Sequence, residues 1–556
     1  MTSTSTERGS GRNDAAANSS STSSTPASAS GADAKARQAG AGKQAGVPEV
    51  MTHREVLEAL SGLLLAMFVA MLSSTVVSNA LPVIVADLNG TESGYTWVIV
   101  ATLLALTATT PIWGKLADLF SKKVLVQVSL LVFVAGSLFA AVSSSMGMLI
   151  SARVVQGVGV GGLSALVQIV IASIVPPRER GRYFGYLGAV FAVATVSGPL
   201  VGGLIVDTPW LGWRWCFAVG IPVAAVAIVV LQKTLHLPVV RREGVKIDYL
   251  GAALIASGVS VLLIWVSLAG NRFDWASPTT ALMVAGGVLL LAAAVVVESR
   301  VAEPVIPLRL FKDRTIALAS IASTLVGVAM FGATVFLSQF FQLAHGKTPT
   351  VAGLLTLPMV LGLLLSSILT GRVIARTGVW KRYLVGGAAL LVVGLGLLST
   401  LDHTTSMVTA GVFMLVMGIG LGAVNQNLVL AVQNAAAQRD IGAASSLAAF
   451  FRTMGGSAGV SALGAVLGHQ VATSVAAGLA RLGIPVEGEA GTIPDLDTLP
   501  GPVREVFEAA YGDATGHVFL IAVPFALVAL VCILLIRETP LRTTIARADE
   551  LEDAAS

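Results

Sequence analysis

Charge is what this chain has least of. Asp, Glu, Lys and Arg make up 12% of its 556 residues, against 55% hydrophobic residues. At a mean hydropathy of +0.82, a soluble domain could not cover so apolar a core with the polar surface available. The shortage is also uneven: of 35 Lys and Arg and 31 Asp and Glu, only Arg153 and Arg452 lie deep inside apolar segments. A hydrocarbon solvent imposes that distribution, because a charge at the centre of a spanning helix costs roughly 3 kcal/mol or more. Acids, His and Lys are missing from the middle of every apolar segment. That leaves no obvious group to titrate, since arginine keeps its proton at any physiological pH.

Other absences exclude whole classes. The two cysteines, Cys216 and Cys532, both fall in apolar segments, so a disulfide framework is not indicated. No Gly-x-x-x-x-Gly-Lys-Ser/Thr loop occurs, which disfavours an ATP-driven pump. Apolar segments hold no Ser-His-Asp set, paired carboxylates or metal cluster, which argues against a membrane-embedded enzyme. The first 47 residues are rich in Ser, Thr, Ala and Gly and lack the apolar core of a signal peptide. They read as a disordered cytoplasmic tail. The pI near 9.1 could suggest nucleic acid, but the basic residues are spread through short loops, as the positive-inside rule would place them.

What is present is a succession of apolar runs, each near the roughly 20 residues that cross a bilayer as a helix. Spans are expected near 57–84, 94–113, 123–143, 147–174, 183–206, 215–232 and 249–269. Seven more are expected near 279–298, 316–344, 350–375, 383–400, 406–432, 445–470 and 515–536. With the N-terminus inside, 28 of the 35 Lys and Arg fall on the cytoplasmic side, which predicts both termini in the cytoplasm. The loop 471–514 would then be exterior, with seven acids against two arginines, a solvated spacer or a guard on an exit route.

Three motifs stand on particular spans. Gly114-Lys115-Leu116-Ala117-Asp118-Leu119-Phe120-Ser121-Lys122-Lys123 joins the second span to the third. A Gly, an acid and a basic pair in so short a turn suggest two helices held close, the acid bonding free amides or sitting near a helix N-terminus. In the fourth span Arg153, Gln156 and Gly157 share one helix face at i, i+3 and i+4, and the arginine must face protein or water. The fifth span carries Gly188 and then Gly198-Pro199-Leu200-Val201-Gly202-Gly203. Gly198 and Gly202 permit close approach of a neighbour, and Pro199 removes a helical hydrogen bond.

On these spans and in this order, the motifs resemble signatures of the major facilitator superfamily. The 114–123 loop keeps the Gly, Leu, Asp and basic pair but has Leu119 and Ser121 where the usual Arg and second Gly stand. The Arg153 motif is similar to the fourth-helix signature, whose Arg is associated with proton coupling. The fifth-span motif resembles the Gly-Pro-x-x-Gly-Gly signature of the drug antiporters. Local matches at 75–82, 213–217 and 450–457 resemble the fourteen-span drug:proton antiporter group. Gly371-Arg372-Val373-Ile374-Ala375-Arg376-Thr377-Gly378, followed by Lys381-Arg382, is a worn copy of the 114–123 loop with Ala375 in the place of the acid.

The resemblance implies an all-α polytopic membrane protein with the major facilitator fold, fourteen helices arranged 6 + 2 + 6. A tail 1–54 precedes a six-helix bundle 55–233; a helix pair with flanking loops occupies 234–314; a second bundle 315–540 contains the loop 471–514; a tail 541–556 follows. It implies a secondary exporter of small, largely apolar molecules that rocks two halves about a central site. The expected partners are the small-molecule substrate, protons and membrane lipid. No cofactor, metal or nucleic acid is expected, and the chain is expected to act as a monomer. A uniporter or importer of the same fold is the alternative.

One departure bears on mechanism. The antiporter group commonly carries an Asp in the first helix as Leu-Asp-x-Thr, where this chain has Leu72-Ser73-Ser74-Thr75. The nearest acids, Glu58, Asp118, Asp248 and Glu298, lie at helix ends. With Arg153 the charge facing the cavity, a neutral or anionic substrate is expected. Asp118 reads as a latch or a proton carrier. Arg452 can line the cytoplasmic vestibule or pair with Asp118. Candidate cavity groups are Ser73, Ser74, Thr75, Ser78 and Asn79 of the first span, Gln339 and Gln342 of the ninth, and Gln426 and Asn427 of the twelfth. Gln433 and Asn434 repeat the two twelfth-span faces. Each can contact substrate or bond a neighbouring helix. Trp97 reads as an interfacial anchor.

Overall fold

In hydrocarbon each backbone amide must be satisfied within its own segment, and the helix does this. The computed structural model describes residues 53–89, 92–208, 210–235, 248–270, 273–301, 303–484 and 500–542. Among these residues fourteen helices are long and apolar enough to cross a bilayer, and the one β contact is an isolated bridge between Ala269 and Phe273.

The first six are α1 His53–Asp87, α2 Glu92–Leu119, α3 Lys122–Ala141, α4 Met146–Ile174, α5 Pro177–Asp207 and α6 Trp215–Thr234. Two follow, α7 Tyr249–Leu268 and α8 Pro278–Glu298. The last six are α9 Arg314–Gln339, α10 Leu357–Thr377, α11 Lys381–Leu398, α12 Met407–Ala435, α13 Ile441–Arg481 and α14 Gly501–Leu535. Several starts are capped by oxygen side chains, as at Ser145, Asp248, Ser277, Asp313 and Ser406. Gly378, at φ 73°, ends α10 in the left-handed conformation that glycine adopts without strain.

The expected exterior loop at 471–514 is shorter than its hydropathy suggested. Helix α13 runs on to Arg481 and α14 begins at Gly501, because a helix can continue into water beyond the apolar stretch that hydropathy detects. Glu505, Glu508 and Asp513 therefore ride on α14, while Glu487, Glu489, Asp495 and Asp497 lie outside the described residues. The tail read as disordered at 1–54 also lies outside them, up to Thr52.

Packing follows the repeat. In the first six helices, α4 packs against α2 and α3, and α1 against α5 and α6; in the last six, α12 packs against α10 and α11, and α9 against α13 and α14. The two most extensive crossings between the sets are α2 with α13 and α5 with α10. A shift of eight helices turns one crossing into the other. Helix α7 packs on α2, α13 and α8. Within their apolar windows α4 is 78% enclosed and α8 only 17%, so α4 is central and α8 faces lipid.

Candidate functional site

The two crossings meet at the end of the bundle where α2 and α10 finish and α5 and α13 begin; the basic loops lie there, and we call it the basic end. At the α2–α13 crossing, Asp118 Oδ1 accepts from the Gly442 amide at 2.8 Å and Oδ2 from the Ala443 amide at 2.9 Å. These are the unsatisfied first amides of α13, at the positive end of its dipole. Backbones approach closely enough that a Cβ on Gly114 would strike the Ser446 side chain. One position beyond Gly114, Lys115 is 5% exposed and ion-paired with Glu303.

The α5–α10 crossing keeps the close approach and reverses the polarity. A Cβ on Gly181 would lie 2.9 Å from the Cα of Gly371. Here Arg178 of α5 donates to the Ala375 carbonyl at 3.1 Å and the Arg376 carbonyl at 3.0 Å, the negative end of α10. Ala375, standing where the repeat lost its acid, thus still takes part through its backbone.

A third contact between the sets was not expected from sequence. Arg180, 1% exposed, donates to the Val175 and Ala172 carbonyls at 2.8 and 2.6 Å and to Gln433 Oε1 at 3.1 Å. Gln433 Nε2 in turn donates to the Gln168 carbonyl and to Ser445 Oγ. In sequence Arg180 reads as one more loop cation; its position a single turn after Pro177, beside Gly181, was the available signal. The segment after α14 adds a strap. Glu538 accepts from the Trp380 and Lys381 amides, Asn434 holds Thr539 and Pro540, and the Arg542 carbonyl accepts from the Arg178 amide at 3.3 Å.

Inside the first set Arg153 is 3% exposed. Its guanidinium donates to Gln156 Oε1 and, at 3.3 Å, to the Val98 carbonyl. Gln156 Nε2 passes the network on to Ser73 at 3.1 Å and Ser137 at 2.9 Å. Ser73 therefore sits one amide away from the arginine, and among the described residues Arg153 has no carboxylate within ion-pair distance. Arg452 does not reach Asp118. It donates to Asn425 Oδ1 at 2.9 Å, because ten residues of α13 separate it from Gly442, about 15 Å at 1.5 Å per residue.

The remaining candidates divide. Thr75 Oγ1 bonds the Ala194 carbonyl of α5 at 3.2 Å, and a Cβ on Gly198 would run into that threonine, so Gly198 serves a contact between α5 and α1. Gly202 is buried; the side chains of Ser78, Asn79 and Pro199 lie outside the described residues. Ser74 is exposed. Asn427 is spent on the Ala423 carbonyl of its own helix, and Gln342 on Ser338. Asn434 belongs to the strap. Gln339 and Gln426 each have a buried Oε1 with no hydrogen-bond partner, which suits polar groups that await a ligand.

The family model of the Major Facilitator Superfamily matches residues 63–460. A Mycobacterium tuberculosis protein named as an MFS-type transporter is 36% identical over 496 residues, covering 89% of this chain and 71% of that protein. The efflux pump dotC of Dothistroma septosporum is 35% identical, covering 87% and 84%. The multidrug transporter protein MdtP of Bacillus subtilis is 34% identical, covering 73% and 74%. Among solved structures, the proton:xylose symporter XylE superposes with a TM-score of 0.54 at 14% identity, over 85% of this chain and 96% of that one. The human organic anion transporter MFSD10 gives 0.53 at 14%, over 84% and 99%. Fourteen apolar helices, paired crossings related by an eight-helix shift and a family match across the bundle make this chain a multi-pass membrane protein of the Major Facilitator Superfamily.

Proposed function

We propose that the chain exports small, largely apolar molecules across the cytoplasmic membrane in exchange for protons, by rocking the sets 55–233 and 315–540 about a central site. The observation that carries this reading is the Asp118 clamp on the α13 amides, a separable closure at one end of the bundle. The charge bias of the sequence, with 28 of 35 Lys and Arg in segments assigned to the inside, makes the basic end cytoplasmic, so that this conformation faces outward. Relatives named as an efflux pump and a multidrug transporter favour the direction of transport. Arg153, held only by neutral groups, favours a neutral or anionic substrate over a cation. The chain works as a monomer in lipid, without cofactor or nucleic acid.

Ser73 favours a second reading, a uniporter of the same fold, because it replaces the acid expected in that helix. Accumulation of a varied drug panel in a pump-deficient bacterial host, with and without a protonophore, separates the two. Extrusion against a gradient that collapses with the protonophore supports antiport; extrusion that ignores it removes antiport. Tight binding of a lipophilic monocation, with neutral and anionic analogues failing, would overturn the substrate class.

A further inference from the structure

The spans hold no acid at mid-depth, but two carboxylates are buried together at the basic end. Asp248, which precedes α7, is 7% exposed, and Glu298, the last residue of α8, is 4% exposed. Asp248 Oδ1 caps α7 by accepting from the Gly251 amide at 2.7 Å. Both Glu298 oxygens are engaged, by the Val305 amide at 3.1 Å and the Ile306 amide at 3.0 Å. Asp248 Oδ2 is buried with no partner. It faces Glu298: a Cβ on Gly251 would strike Asp248 Oδ2 and lie 2.8 Å from Glu298 Oε1, so glycine keeps open the space where the two acids converge.

Two ionised carboxylates in one desolvated site repel, and such pairs hold a proton between them. Such a proton belongs to the pair rather than to either acid alone. Among the described residues, Lys115 of α2, ion-paired with Glu303, is the cation whose charge acts on Glu298. Among the described residues no third ligand joins the two acids in a metal-binding group.

We propose that the Asp248–Glu298 pair holds one proton, and that its loss is linked to opening of the basic end. Deprotonation places a second negative charge beside Glu298. Lys115 can answer it by leaving Glu303, and Lys115 lies one turn from Asp118 on the helix that crosses α13. The shared proton stands on geometry alone; its use in the transport cycle rests on the antiport reading.

Infrared difference spectroscopy of the full-length protein in lipid nanodiscs, titrated with pH, tests the first part. A protonated carboxyl band at neutral pH that shifts or disappears in D248N and in E298Q is expected. Asn retains the N-cap, and D248S, which also caps, serves if D248N fails to fold. No such band in the wild type, or a band unchanged in both Asp248 variants, overturns the shared proton. Transport tests the second part: folded D248N should lose at least tenfold in uphill extrusion while retaining substrate exchange. Uphill extrusion at the wild-type level overturns the linkage. Wild-type extrusion indifferent to a protonophore, with the band present, overturns antiport and leaves the proton site standing.

Discussion

Asp118 contributes more than its charge, because both of its oxygens are committed to neighbouring amides at the head of α13. Asn can satisfy only one of those amides and carries no charge. A hydrogen bond to a charged group contributes roughly 1.5–3 kcal/mol, so Asp118→Asn should depopulate the closed basic end by about tenfold or more. Transport should slow in proportion, while substrate affinity, measured on the purified protein, changes less than about twofold; equal loss in both would count against a latch. Gly114→Ala should be similarly harmful because its methyl would meet Ser446, whereas Gly147→Ala, with open space around it, should transport normally.

At the scale of an element, α13 is joined to α12 by a partly buried polar contact from Arg452 to Asn425, whose amide also lies 3.8 Å from Met330 Sδ. Asn425→Ala leaves the guanidinium without its acceptor and should lower stability by roughly 2 kcal/mol, read as a fall in the unfolding midpoint in detergent. An unchanged midpoint would mean that another group takes over. Helix identity was legible in the sequence for a physical reason: lipid tolerates only long apolar runs, so composition reports the solvent of each segment. Asp118, Arg153, Gln156 and Gly198 were legible as well, since a polar or small residue in such a run must be answered by protein. Composition does not name the partner. Arg180 passed for a loop cation and Arg452 for a vestibule residue or a partner of Asp118, because which carbonyl or amide lies opposite depends on how the helices cross. The extra turns of α13 and α14 were hidden because water, unlike lipid, leaves no apolar imprint.

Across the whole molecule, closure rests on contacts of opposite polarity: a carboxylate on a helix head at one crossing, an arginine on a helix tail at the other. If alternating access requires both to part, a permanent bridge should stop the cycle. Arg178→Cys with Arg376→Cys, joined by a bifunctional thiol reagent about as long as an arginine side chain, should abolish transport and leave outward-side substrate binding intact. The native Cys216 and Cys532 are buried and should contribute little background. A bridged protein that still transports would mean the basic end never opens.

The glycine-on-glycine crossing has a further consequence. Where Gly181 meets Gly371, main chain lies against main chain with no side chains interleaved between them. Such a joint has no knobs to withdraw from holes and no rotamers to re-sort when it shuts again. It behaves as a smooth bearing rather than a toothed one. The resistance to each stroke is then concentrated in the few polar groups at its rim, where relocating one proton or one ion pair is large enough to decide which way the bundle leans.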